Sequence, residues 1–175
     1  VESYPQSLYG QQETLTALLA RCRQANISPV VAAPMAGPFL ERLRAMGYAV
    51  AVIEQPAHLG RYGGALYRDG LRERWRSLTD VVAYTRRLRE WLKTHRFDAL
   101  FCNDLRGLLT FGIAARSLDL PVVIWDKLDK PHGILDIVQL PLATRNLIIS
   151  EAVKSKYPAW QKRWLRRRIA RVFNG

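Results

Sequence analysis

Short runs rich in Val, Ala and Ile recur along this chain, separated by stretches whose apolar residues repeat at helical spacing. The apolar runs are SPVVAAP at residues 28–34, YAVAVIEQP at 48–56, FDALFCND at 97–104, PVVIWD at 121–126 and a last one at 147–149. They are too short for helices and show little polar alternation, which is what strands covered on both faces require. Between them, Leu15, Leu18, Leu19 and Cys22 mark one helix over residues 11–25, and Phe39, Leu40, Leu43 and Met46 mark a short one that Gly47 ends. Trp75, Leu78, Val81, Val82, Leu88, Trp91 and Leu92 form the buried stripe of the longest helix, over 75–95. Residues 105–120 read as an apolar helix, residues 132–145 as a helix broken near Pro141, and Ser150 as the N-cap of the next one. Strands alternating with helices imply right-handed crossovers, hence an α/β fold with a doubly wound parallel sheet. A length of 175 residues fits one such domain with a substantial core.

Ligands of such sheets bind beyond the C-terminal ends of the strands. That rule selects the loops at residues 3–11, 34–38, 55–64, 103–106, 126–133 and 150–151. Gly10, directly before a helix, can let a phosphate approach backbone N–H groups, although the loop matches neither GxGxxG nor a Walker A pattern. Asn103, Asp104 and Arg106 offer an amide, a carboxylate and a guanidinium to a polyhydroxy ligand; Asp104 can equally cap the helix that follows. Asp126, Lys127, Asp129, Lys130 and His132 form the densest polar group of the chain, after an apolar strand. Asp126 can orient a sugar hydroxyl, Lys127 or His132 can offset phosphate charge, and Asp can also simply pair with Lys. The residues most expected to contact an acceptor are Asn103, Asp104, Arg106, Lys127, His132 and Ser150. Asp126 is the catalytic candidate, and its removal is expected to lower turnover with folding intact. The loop at 56–72, with its four glycines and His58, reads as substrate-shaped or as a surface insertion.

The formal net charge of +12 is uneven. Residues 1–60 carry four basic and four acidic side chains, whereas residues 151–175 carry eight basic and one acidic. Such an end suits an anionic partner: a membrane surface, a phosphorylated substrate, an acidic companion domain or nucleic acid. Nucleic acid is the less favoured of these, since Trp160 and Trp164 at i and i+4 more often pack on a neighbour than stack on bases. No charge-free apolar run reaches the length of a membrane span. Cys22 and Cys102 stand far apart with no CxxC, as reduced core thiols do. His58, His95 and His132 occupy unrelated contexts, so no metal set is expected.

Several segments together resemble the N-terminal domain of a GT-B glycosyltransferase of the glycosyltransferase family 4 type. Tyr9-Gly10-Gln11-Gln12-Glu13 is similar to the family's glycine loop, with one glycine where two are usual. Residues 98–104 look like its central strand, and residues 145–150 like its segment ending in Ser. Asn174-Gly175 resembles its entry to the second domain, whereas Trp125-Asp126 stands where the family usually reaches a His. The resemblance implies a Rossmann-like half of a GT-B fold. Residues 1–175 would be the acceptor-side domain, lacking most of its first strand, with the C-terminal donor-binding domain absent. It further implies transfer of a sugar from a nucleotide sugar, as co-substrate and with no other cofactor, to a sugar or lipid-linked sugar acceptor. It suggests retention at the anomeric carbon. The arginines and tryptophans of residues 75–95 and of the basic end point to a cytoplasmic protein peripheral to the inner face of the membrane. This domain alone would be inactive. The alternative is a non-catalytic module that binds sugar or nucleic acid.

Overall fold

The structure, a computed structural model, describes residues 1–56 and 71–172, and only the backbone of residues 71–78. The glycine-containing loop with His58, the Asn174-Gly175 pair and the side chains of Trp75 and Leu78 therefore lie outside the described residues. Among the described residues the strands are β1 (Val30–Ala33), β2 (Ala49–Val52), β3 (Leu100–Cys102), β4 (Val122–Asp126), β5 (Arg145–Ile148) and β6 (Ile169–Arg171). All pairings are parallel: β1 with β2, and β3-β4-β5-β6 in that order.

Residues 1–3 join the two groups. Glu2 N–H donates to the Ala32 carbonyl at 3.0 Å, and Asn103 N–H donates to the Val1 carbonyl at 3.0 Å. The Val1 nitrogen also donates to the Phe101 carbonyl. These are ladder bonds of a parallel strand with Val1 opposite Cys102. The sheet therefore runs β2-β1-(1–3)-β3-β4-β5-β6, and its order reverses at residues 1–3. That reversal is the topological switch point of a doubly wound fold.

Helices cover both faces. On one side lie α1 (Gln11–Gln24) and α2 (Pro38–Ala45), where Leu15, Leu19, Phe39, Leu40 and Leu43 pack with Val31 and Ala33 of β1. The next residue over, Ala32, faces the opposite cluster, with Tyr84, Leu88 and Leu92 of α3 (Leu71–His95) and Phe111. Alternation along one strand thus feeds two cores, which is why β1 reads as continuously apolar. The expected helix over 105–120 is composite: α4 (Leu105–Gly107), a wide π segment (Leu108–Gly112) and α5 (Ile113–Arg116). After β4 comes α6 (Ile134–Leu142), which Pro141 ends one residue later. Its last carbonyls are capped by Arg168, whose guanidinium meets Leu140, Pro141 and Ala143 oxygens at 3.0–3.4 Å. Following β5 are α7 (Glu151–Ser155) and α8 (Ala159–Trp164). Leu140, Ile148, Val153 and Tyr157 form a third core there.

Between β1 and β3, on the N-terminal side of Val1, the sheet leaves a cavity of about 670 Å³. Leu15, Leu19 and Cys22 of α1, Val30, Trp91 and Phe101 line it. Both cysteines are free, and burial pushes the Cys102 thiol up to about 12. His95 stacks on Phe97 and bonds the Trp91 carbonyl, a structural use.

Candidate functional site

Two connected polar centres lie along the C-terminal edge of the sheet. The first sits at the switch point, where residues 1–3 and β3 diverge. Glu2 is 0% exposed, yet it carries a carboxylate. Its oxygens accept from Tyr4 N–H at 2.8 Å, Gln12 Nε2 at 3.2 Å, Gln11 Nε2 at 3.3 Å and Asn103 Nδ2 at 2.6 Å. Such a set of donors is what permits burial of the group. Asn103, itself 1% exposed, uses its amide oxygen to accept from Lys127 Nζ at 2.6 Å. Asp104 is the N-cap of α4, accepting from Gly107 N–H at 2.8 Å, and also takes the Ser3 hydroxyl at 2.7 Å. Both alternatives for Asp104 thus meet in one residue: it caps its helix and ties β3 to the first loop.

Lys127 spans the gap between β4 and this centre, with its ammonium 4.4 Å from the centroid of the Trp125 ring. Burial lowers its pKa to about 8, against the charges of Glu2 and Asp104, which raise it. An ammonium held so is poised between charge states and keeps a donor for a ligand. Arg106 lies over the Tyr4 ring at 5.4 Å, at the rim of the same centre. Gly10 is the N-cap residue of α1, with φ 50°, so a side chain there would be strained; the space where its Cβ would stand is open. The first loop is anchored from the other side at Gly37, where a Cβ would stand 2.4 Å from the Pro5 carbonyl oxygen.

The second centre is built on Asp126, at the end of β4 and 6% exposed. One oxygen meets Lys156 Nζ at 2.8 Å, and the other accepts from Gln139 Nε2 at 2.9 Å and from the Tyr157 hydroxyl. Asn146 of β5 donates to that hydroxyl at 2.7 Å. Burial, then the adjacent Asp126 carboxylate, pushes the Tyr157 phenol up, so it stays a neutral donor. Lys156 also donates to the Leu128 carbonyl at 2.8 Å. Asp126 therefore clamps the ends of β4 and β5 to α6 and α7, with protein donors on both oxygens. Asp136, in the first turn of α6 and 2% exposed, accepts from His132 N–H at 2.6 Å. Ser150 caps α7, its hydroxyl accepting from Val153 N–H at 3.3 Å.

The structure brings Asn103, Asp104 and Lys127 into one centre, and Asp126 and His132 into the other. Arg106 lies at the rim of the first centre, and Gly10 and Ser150 sit at separate points along the same edge. Sequence reasoning missed Glu2, Gln12, Asp136, Lys156 and Tyr157. Asp136 carries a readable signal, a lone acid at the start of an apolar helix; Glu2 carries none, because its burial depends on partners ten and a hundred residues away. Among the described residues, no group of three or more His, Cys, Asp or Glu side chains could hold a metal ion. No described helix is long and apolar enough to cross a membrane.

No protein-family model and no curated protein matches the chain. Solved structures do. MurG of Acinetobacter baumannii superposes with a TM-score of 0.62 at 14% identity over 95% of this chain. Anabaena Alr3699/HepE in complex with UDP gives 0.61 at 18% identity over 97%, and its complex with UDP-glucose 0.61 at 17% over 97%. This chain spans 42% of the length of each of these structures. At such identities the likeness is one of fold. By its parallel sheet, its switch point and these matches, the chain has the Rossmann-like fold that forms one half of a GT-B glycosyltransferase.

Proposed function

We propose that this chain is the acceptor-side domain of a glycosyltransferase, which moves a sugar from a nucleotide sugar to a sugar or lipid-linked sugar acceptor. The observation that carries the reading is the convergence of Glu2, Asn103, Asp104 and Lys127 at the switch point. Folds of this kind bind their ligands there, and the buried Glu2 carboxylate and Asn103 amide hold the Lys127 ammonium in place to donate to a polyhydroxy ligand. In this reading Lys127 and Arg106 face the acceptor, Asn103 and Asp104 hold the first loop and Lys127 in place behind them, and His132 and Ser150 lie further along the edge. Gly10 opens the α1 N-terminus to a phosphate of the donor. Asp126 acts through the groups that it holds and is a positioning residue. Donor binding belongs to a second domain outside this sequence. The cavity between β1 and β3 is the seat of a strand that leads into Val1.

The basic end serves an anionic membrane surface, in keeping with a lipid-linked acceptor on the cytoplasmic face. Trp160 and Trp164 are 56% and 81% exposed on α8, beside the exposed Arg163, Arg166 and Arg167. That mix suits the lipid headgroup layer.

The test is a donor assay on the complete protein with a panel of nucleotide sugars that includes UDP-glucose. Release of nucleoside diphosphate that depends on a sugar acceptor supports the reading, and residues 1–175 alone should give none. Robust transfer by residues 1–175 alone would refute the half-enzyme assignment. Binding of free sugar with no turnover by the complete protein would favour the non-catalytic module.

A further inference from the structure

We propose that Tyr4 is the stacking platform for a pyranose ring of the acceptor. This role rests on the transferase reading and deepens it by naming the side chain that reads the acceptor's shape. Among the described residues, the aromatic rings most open to solvent lie in two places. Trp160 and Trp164 are on α8, and Tyr4 and Tyr9 are on the loop that follows residues 1–3. The second place is the C-terminal edge of the sheet at the switch point, where ligands of this fold bind.

An exposed ring by itself is ordinary. Tyr4 differs in how firmly it is held. Its N–H donates to Glu2 Oε1 at 2.8 Å, and its carbonyl accepts from Gln12 Nε2 at 3.2 Å and from Ser7 N–H at 3.1 Å. The residue before it, Ser3, is tied to Asp104 through its N–H at 3.2 Å and its hydroxyl at 2.7 Å. The residue after it, Pro5, gives its carbonyl to Phe39 N–H at 3.1 Å and lies against Gly37. Both backbone groups of Tyr4 are thus bonded and both neighbours are anchored, yet the residue stays 44% exposed. The Arg106 guanidinium lies over the ring, 5.4 Å from its centroid, and orients it. A ring so ordered loses little freedom when a ligand covers it, which is what makes it an efficient contact.

The ring also stands beside the donors of the switch point. Glu2 takes Tyr4 N–H on one oxygen and Asn103 Nδ2 on the other, and Asn103 Oδ1 accepts from Lys127 Nζ. Tyr4 and Lys127 therefore flank one buried pair. Glu2 is fully buried and Asp104 caps α4, so both acids of this centre are engaged within the protein. What the centre offers a ligand is an aromatic ring with two cationic donors, Lys127 and Arg106. A pyranose matches that set. Its face carries C–H groups that pack on an aromatic ring, and its rim carries oxygens that accept from an ammonium or a guanidinium. A linear polyol has the oxygens and lacks the face.

Saturation-transfer NMR of residues 1–175 tests the stack with no donor sugar. Irradiating the aromatic protons should pass magnetisation to the ring C–H protons of methyl β-D-glucopyranoside, to one face more than the other, and much less to sorbitol. Tyr4→Ala should abolish the difference between the two faces, and Tyr4→Trp should keep it. Tyr4→Leu, which is apolar but has no ring, gives the same reading if Tyr4→Ala does not fold. Equal transfer to the two compounds, a face preference that survives without the Tyr4 ring, or one lost in Tyr9→Ala alone overturns the platform. In the complete enzyme, with a nucleotide sugar and an acceptor that it consumes, Tyr4→Ala should raise the acceptor KM about 10-fold. The donor KM should stay as it is, and Tyr4→Trp should hold the acceptor KM near wild type. An unchanged acceptor KM in Tyr4→Ala also refutes the platform. No turnover by the complete wild-type protein with any nucleotide sugar refutes the transferase reading, while the NMR result still decides whether Tyr4 binds a pyranose.

Discussion

Removing the Asp126 carboxylate should destabilise the domain far more than a ligand-contacting acid would. The Lys156 side chain is 1% exposed and meets Asp126 at 2.8 Å, so Asp126→Ala leaves a buried ammonium with only the Leu128 carbonyl and, at 3.8 Å, Asp136. Breaking a buried pair by deleting one partner costs about 3–5 kcal/mol. The Tyr157 hydroxyl and Gln139 amide lose their acceptor as well, at about 1–3 kcal/mol each where they stay buried. These losses overlap, because all three groups share one carboxylate, so we expect a total of about 4 kcal/mol. For a domain of ordinary stability, about 5–15 kcal/mol, that is a large part of the whole. Urea unfolding of residues 1–175, followed by far-UV circular dichroism, measures it. Asp126→Asn should cost less, since one acceptor oxygen remains. The double variant Asp126→Ala/Lys156→Met should be more stable than Asp126→Ala alone, because the stranded ammonium is gone. A loss below about 1 kcal/mol, the range of exposed pairs, would refute the clamp and return Asp126 to the acceptor as a free carboxylate.

Lys127 should give stability a pH signature. Its folded pKa of about 8 lies below the unfolded value, so the unfolded chain binds more protons between the two; wild type should gain stability relative to Lys127→Met as pH rises from about 8 toward 10. A constant difference across that window, read as paired urea midpoints, would remove the buried ammonium. An apolar four-residue extension ahead of Val1 should raise the urea midpoint by filling the cavity between β1 and β3, at about 1.5–3 kcal/mol per side chain fully buried. The same extension carrying Asp at its inward positions should not, and equal midpoints for the two would refute the strand seat. Sedimentation with phosphatidylglycerol vesicles should pull the protein down at low salt, and phosphatidylcholine vesicles should not. Replacing Arg163, Arg166 and Arg167 by Gln should weaken this by about 1 kcal/mol for each charge. Equal binding to both vesicles, or preference for an oligonucleotide of equal charge, would count against a membrane role.

How far the sequence could be read depended on the range of the interactions. Strands and helices came from local period, and their alternation was enough for the doubly wound sheet that the structure shows. Boundaries moved where a local signal was absent: β5 starts at Arg145, two residues before the apolar run, because Asn146 is buried by its bond to Tyr157. The π segment at Leu108–Gly112 has no sequence mark, because an added residue in a helical turn does not disturb an apolar stretch. The loops at strand ends could be selected by rule, and so Asn103, Asp104, Lys127 and His132 were found.

Missing from that selection was the pairing among them. Asp126 and Lys127 are neighbours in sequence, yet the alternation of a strand end sends them to opposite sides, Asp126 to Lys156 and Lys127 to Asn103. A local reading would join the two; the fold instead gives each a partner more than twenty residues away. The same holds for the basic end. Arg166, Arg167 and Arg168 look alike as a run, but Arg168 is bound to the carbonyls that end α6, while Arg166 and Arg167 are exposed. Charge in a sequence shows how much is available to a partner only after the helix ends and buried acids have taken their share.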